Sequence, residues 1–246
     1  MKIHILTLFP ELFFLFKDWS IVGRTVEKGI VTLEPINIRD FSKDKHKQVD
    51  DYPYGGGPGM IMKSEPIYDA LNSVKTDNSK TIYLSPQGKT YNQEMANLLS
   101  KEEHLILLCG HYEGIDNRII DNYIDMEISI GDYVLTGGEL PAMVLIESII
   151  RLLPGALSSE ESFTEESHYN GLLEYPQYTR PRIFNDLEVP EILLSGDHKK
   201  IEEWKNYKSL EVTYIKRPDL LKKQNLSSND EKLLKEIEAK IKNKNS

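Results

Sequence analysis

A single cysteine, Cys109, stands in a chain of 246 residues. No internal disulfide can form, and such usage points to a reducing compartment. Long apolar runs are missing too. The longest, 140–146, falls far short of the roughly 20 residues that span a bilayer. Residues 1–8 alternate like a strand and carry no signal-peptide cleavage pattern. The expectation is therefore a cytoplasmic protein with no membrane partner. The six histidines show no zinc-like spacing with the lone cysteine, so no structural metal is expected. Positive charge is scarce: 30 Lys and Arg against 39 Asp and Glu give a formal charge of −9. That balance does not by itself favour a nucleic-acid partner.

Its distribution changes the picture. From residue 198 to the end there are 13 Lys and Arg against 8 Asp and Glu, a surplus of five, so the rest of the chain carries −14. A lysine-rich end is usually a solvated helical surface. The sharper alternative is a surface that faces phosphates.

What is present is a globular composition, 39% hydrophobic and 28% charged, long enough for one large domain or two smaller ones. Apolar strand-like runs at 2–8, 30–36, 81–84, 104–108 and 127–130 alternate with helix-like runs at 11–16, 21–28, 65–74, 93–100, 116–122 and 139–153. This alternation predicts an α/β fold with a mostly parallel sheet covered by helices. Ser64 is the expected N-cap of the third helix, with Pro66 tolerated in its first turn. The helix at 139–153 is apolar around most of its circumference. It should be buried on more than one side, against the sheet and against either its own chain or a second subunit.

After Pro154-Gly155, residues 158–167 are polar and acidic and read as a linker without fixed structure of its own. A second, mainly helical module follows. In it Asp197 should cap a helix through Ile201, Trp204 and Lys208. A later helix at 230–242 carries Leu233, Leu234, Ile237 and Ile241 on one face.

Two loops share one design. Cys109-Gly110-His111-Tyr112-Glu113-Gly114-Ile115-Asp116 follows one apolar run, and Ile130-Gly131-Asp132-Tyr133-Val134-Leu135-Thr136-Gly137-Gly138-Glu139-Leu140-Pro141 follows another. Loops after strands are where α/β folds bind ligands. Glycine there lets the backbone approach closely. Gly55-Gly56-Gly57-Pro58-Gly59 fits neither a P-loop nor a dinucleotide fingerprint, because Met60 and Ile61 stand where those motifs need other residues. On sequence alone it is a tight loop. Cys109 has no identifiable orienting base and reads as packing, not as a nucleophile.

Further motifs lie along the chain: Leu8-Phe9-Pro10-Glu11, Gly23-Arg24, Arg39-Asp40-Phe41, Val49-Asp50-Asp51, Tyr83-Leu84-Ser85-Pro86-Gln87-Gly88, Gly171-Leu172-Leu173-Glu174 and Tyr178-Thr179-Arg180-Pro181. In this order, and with the loops above, the sequence resembles the bacterial tRNA (guanine-N1-)-methyltransferases, members of the SPOUT class of knotted methyltransferases.

The resemblance implies a trefoil knot at the end of an N-terminal domain (1–156), an acidic linker (157–170) and a tRNA-binding helical domain (171–246). It implies a homodimer, S-adenosylmethionine as methyl donor, Mg²⁺ for activity and tRNA, not DNA, as substrate. The target would be N1 of the guanosine 3′ of the anticodon, position 37. The cofactor pocket would be Tyr83, Leu84, Ser85 and Pro86, then Gly110, Tyr112, Glu113 and Gly114. It would continue through Ile130, Gly131, Asp132, Tyr133, Val134 and Leu135 to Gly137, Gly138 and Pro141. Substrate would meet Arg24, Asp50, Gly55, Gly56, Gly57, Pro58, Gly59 and Arg180, with Arg39 and His46 as further candidates.

Methylating guanine N1 requires removal of its proton, for which a carboxylate within hydrogen-bond reach serves. Charge then grows on O6, which a fixed guanidinium stabilises. The resemblance puts the arginine at Arg151 and the base at Glu166, with Glu165 as the neighbouring alternative. Glutamate here stands where the best-studied members of the family carry aspartate. Without the resemblance, Arg151 would be a cation at a helix C-terminus, and both glutamates would belong to a solvated linker. A base on a mobile linker would act only once tRNA and cofactor order it. Two alternatives remain: a SPOUT methyltransferase with another RNA target, and a non-catalytic RNA-binding module on the same fold.

Overall fold

The computed structural model describes residues 1–157, 166–222 and 224–244. The expected mobile linker lies mostly at 158–165, outside them. The chain divides into two compact units, Met1–Glu160 and Glu161–Ser246.

The first unit is built on five strands: β1 (Lys2–Thr7), β2 (Thr32–Asn37), β5 (Ser79–Thr90), β6 (His104–Cys109) and β7 (Met126–Ser129). They lie in the order β2-β1-β6-β5-β7, and each neighbouring pair is parallel. A parallel sheet is covered on both faces, so its strands are apolar throughout instead of alternating. All six residues of β6 are buried.

Two cores result. Leu105, Leu107 and Cys109 face one with Ile3, Ile5 and the helix α6 (Glu139–Ile150). Ile106 and Leu108 face the other with Leu6, Ile67 and Leu71. The remaining helices of this unit are α1 (Glu11–Phe16), α2 (Ser20–Glu27), α3 (Ser64–Val74), α4 (Gln93–Leu99) and α5 (Asn117–Tyr123).

Two expectations need correction. Ser64 is the first helical residue of α3; the N-cap is Lys63, whose side chain makes no capping bond. The apolar helix ends at Ile150, not Leu153, with Arg151 as its C-cap. Leu140 and Val144, one turn apart on this helix, remain exposed in the single chain. A short antiparallel ribbon, β3 (Asp50–Asp51) with β4 (Ile61–Met62), was not foreseen. Two-residue strands are too short to show a period.

In the second unit a helix His198–Lys216 is capped by Asp197, whose carboxylate accepts the Lys200 N–H at 3.2 Å. It packs with the helix Ser228–Lys244, burying Leu210, Thr213 and Ile237. Thr213 Oγ accepts the Leu173 N–H at 2.9 Å, and Trp204 lies beside the rings of Tyr175 and Tyr178. These contacts explain the apolar and aromatic positions in segment 172–178. A small hairpin, Ile183–Phe184 with Leu187–Glu188, turns through Asn185 and Asp186 at φ 50° and 62°. Those residue types tolerate the left-handed region best after glycine. Among the described residues no helix is long and apolar enough to cross a membrane.

At the N-terminal edge of the sheet two histidines are buried together. His4 Nδ1 lies 2.7 Å from His104 Nε2, while His4 Nε2 lies 2.9 Å from Glu34, which also pairs with Lys2. Burial, and then the Lys2 charge, hold both imidazoles below their ordinary pKa; for His4 the neighbouring His104 adds to this, and Glu34 opposes it. The unfolded chain therefore binds protons that the folded chain refuses, so stability is lost as pH falls through 6.5, the unperturbed value. Urea unfolding should show stability falling from about pH 7.5 to about pH 5.5, with a shallower fall in His104→Gln. An identical pH slope in the variant would remove this pair as the cause.

Candidate active site

The C-terminal ends of β5, β6 and β7 converge on one cavity of about 360 Å³. Each end is shaped by glycine. In β5 both Leu84 and Lys89 pair with Ile128, so residues 85–88 loop out of the ladder. Gly88 closes that loop against β7, where any Cβ would collide with the Ile128 N–H and lie 2.5 Å from the Glu127 carbonyl carbon. After β6, Gly110 sits on the ring of Tyr83, whose phenol is pushed up to about 12 by burial and then by Glu127. After β7, Ser129 Oγ accepts the Gly131 N–H at 3.2 Å and donates to the Gly131 carbonyl at 3.0 Å. This fold-back holds the Tyr133 ring against Gly131, where a Cβ would lie 2.5 Å from it.

The turn into α6 also passes close to the end of β6. Gly138 donates its N–H to the Gly110 carbonyl at 2.9 Å, and a Cβ on it would lie 2.7 Å from Cys109 Cα. The thiol of Cys109 is fully buried and raised well above its ordinary range by burial, then by Glu139. It is inert packing, as its sequence context suggests.

Of the residues expected to hold a cofactor, all line this cavity except Asp132, which is exposed in the loop and off the wall. The wall also includes residues that sequence reasoning passed over, among them Gln87, His111, Asn117 and Thr136. His111 and Thr136 lie inside the quoted loops. A polar residue between glycines gives no sequence sign of which way it faces.

The Gly55–Gly59 loop is the tip of the β3–β4 ribbon. Gly55, Gly56, Gly57 and Gly59 all have positive φ, between 78° and 132°, which explains the density of glycine there. The base of the ribbon is stitched to the β6 loop. Glu113 N–H donates to Met60 and Met62 N–H to Gly114, each at 3.0 Å. A Cβ on Gly59 would lie 2.5 Å from the Glu113 side chain. The expected substrate loop thus borders the expected cofactor wall.

Asp50 is half-buried in β3, Arg39 half-buried in the 3-10 turn Ile38–Phe41, and Arg24 and His46 are exposed; none of these lines the cavity. Arg151 is half-buried at the end of α6. Within the second unit Glu166 opens a turn whose Tyr169 N–H donates to its carbonyl at 3.2 Å, and Arg180 is exposed. Glu165 lies outside the described residues. Among those described, no group of three or more His, Cys, Asp or Glu side chains could hold a metal ion.

The close approach at Gly88 is directly testable. Gly88→Ala forces β5 and β7 apart and should cost about 1–3 kcal/mol in urea unfolding. An unchanged midpoint would mean the register break tolerates a side chain.

Comparison with known proteins fits this geometry. The family described as tRNA (Guanine-1)-methyltransferase TrmD matches residues 1–223. A Clostridium beijerinckii protein named tRNA (guanine-N(1)-)-methyltransferase is 61% identical over 236 residues, 96% of this chain and 98% of its own. Proteins of the same name from Clostridium novyi and Clostridioides difficile are 58% and 59% identical, covering 95% and 92% of this chain and 97% and 99% of theirs. The glycine-lined cavity at three parallel strand ends is thus accompanied by similarity along nearly the whole sequence, and the chain belongs to the tRNA (guanine-1)-methyltransferase family of enzymes.

Proposed function

We propose that this chain transfers a methyl group from S-adenosylmethionine to N1 of the guanosine immediately 3′ of the anticodon in tRNA. The observation that carries the reading is the convergence of three glycine-lined strand ends on one cavity in a chain of this family. The cavity's size is that of small-molecule sites. Its lining suits a nucleoside: the glycines Gly110, Gly114, Gly131 and Gly137 form the main-chain part of the wall, and Leu84, Ile128, Leu135 and Pro141 offer apolar surface to a flat ring. S-adenosylmethionine supplies an electrophilic methyl on its sulfonium.

The protein's share of the chemistry falls to two side chains in this proposal. A carboxylate oxygen of Glu166 accepts the proton from guanine N1. The guanidinium of Arg151 stabilises the negative charge that develops on O6. Glutamate for aspartate preserves the base and lengthens its reach by one methylene. Arg24, Asp50, the Gly55–Gly59 loop and Arg180 are the proposed tRNA contacts. The surplus of lysine after residue 198 is the proposed phosphate-facing surface.

The same reading divides the chain into a cofactor-binding domain (1–156), a linker (157–170) and a tRNA-binding domain (171–246). It also includes a trefoil knot, which rests on membership of the family. It includes a cytoplasmic location and a homodimer, the dimer supported by the uncovered Leu140 and Val144 on α6. Magnesium enters as a soluble requirement, with no protein ligands assigned to it.

Incubation of unmodified tRNA with labelled donor should yield 1-methylguanosine at that single position, and only where a guanine precedes it. In single-turnover assays Glu166→Gln should keep cofactor affinity and slow transfer roughly 10²–10⁴-fold. A rate near wild type would remove Glu166 from the mechanism, and a different labelled nucleoside would overturn the assignment of substrate.

A further inference from the structure

The proposed mechanism leaves one buried charged group unused. Glu139, the first residue of α6, is 5% exposed. A carboxylate taken this far from water must have its lone pairs filled. Thr7 donates its hydroxyl to Oε1 at 2.7 Å, and His111 Nε2 lies 2.8 Å from Oε2. The Thr7 oxygen in turn accepts the Phe9 N–H at 2.9 Å. The positive end of the α6 dipole favours the charge as well. An ionised carboxylate only accepts, so the hydrogen between His111 and Glu139 sits on Nε2.

Three segments far apart in the chain therefore meet on one carboxylate: the end of β1, the loop after β6 and the start of α6. The surroundings are built around this pair. Gly137 has no room for a side chain, because a Cβ there would collide with His111 Nε2 and lie 2.6 Å from Glu139 Oε2. The backbones of His111 and Gly137 form an isolated antiparallel bridge. The His111 ring also rests against Phe9, with centroids 4.9 Å apart, and the His111 main-chain N–H donates to Met62 Sδ at 3.3 Å. His111 and Gly137 both line the cavity.

We infer that His111, through its Nε2–H bond to Glu139, is a positioning residue that sets the width of the cofactor cavity. It clamps the Gly110–Gly114 turn to the Gly137–Gly138 turn, two parts of one wall. The inference rests on the reading of this cavity as the S-adenosylmethionine site. In it the imidazole acts by the tie to Glu139 and not by touching the ligand.

Two substitutions separate those roles. Glutamine places its amide nitrogen near the position of imidazole Nε2 and can still donate to Glu139. Asparagine reaches only the position of Nδ1 and cannot. Calorimetric titration with S-adenosylmethionine should find His111→Gln within roughly threefold of wild-type affinity and His111→Asn weaker by about tenfold or more. Transfer at saturating donor should stay within roughly threefold of wild type in both, so the loss appears in KM and not in kcat.

Equal affinities for the two variants, or a glutamine variant as weak as the asparagine one, would overturn the inference. So would an asparagine variant that loses thermal stability and keeps its affinity. If His111→Asn does not fold, His111→Gln alone decides, since a loss of about tenfold there is incompatible with the tie being sufficient. Failure of the wild-type protein to bind the donor would instead refute the reading of the cavity.

Discussion

The structure of the first unit depends on one close passage. The turn Gly137-Gly138 lies against the end of β6 so tightly that a methyl group at either position would strike backbone or the His111–Glu139 pair. There the chain leaves the β7 loop, passes the end of β6 and enters α6. The buried carboxylate of Glu139 locks that passage to β1 through Thr7 and to β6 through His111. Backbone, helix N-terminus and cavity wall are thus held by the same few atoms. A site that must hold a flat nucleoside at a defined height above a sheet gains from this arrangement, since its polar wall is main chain and cannot change rotamer.

The sheet beneath supplies the rigidity. Its strands are buried on both faces, and its two cores meet the two faces of β6 through alternate residues. Opposite ends of the sheet carry different chemistry. At the N-terminal edge, His4, His104, Glu34 and Lys2 form a polar cluster whose buried imidazoles stay neutral most easily. At the C-terminal edge, glycine turns expose main-chain groups to a cavity. The first cluster affects how stability varies with pH, whereas the second bears on binding. Nothing requires the two to be coupled.

The β3–β4 ribbon shows how a segment of little intrinsic structure is recruited to the site. Its strands are two residues each, and its tip is almost all glycine. It holds its place by two main-chain hydrogen bonds with the β6 loop, one that Met60 accepts from Glu113 and one that Met62 donates to Gly114. Those bonds put the glycine tip beside Glu113. In the second unit a comparable economy holds segment 172–178, which docks by the Leu173 N–H to the Thr213 hydroxyl oxygen and by aromatic contacts to Trp204.

The sequence by itself determined the five strands of a mostly parallel sheet, most helix positions, the Asp197 cap and, with the family resemblance, much of the cavity wall. Each of these leaves a local trace: an unbroken apolar run, a helical period, or glycines directly after a strand. Only the tertiary structure decided that the Gly55–Gly59 loop borders Glu113, that Asp132 turns away, and that Thr7, His111 and Glu139 share one carboxylate. The physical reason is separation along the chain. Thr7 and Glu139 stand 132 residues apart and His111 and Glu139 stand 28 apart, and no periodicity records which distant polar groups the fold will bring into one low-dielectric space. The exposed strip of Leu140 and Val144 makes the same point from the other side. The helix is apolar enough to be covered all round, and where its chain runs decides which residues the chain itself covers.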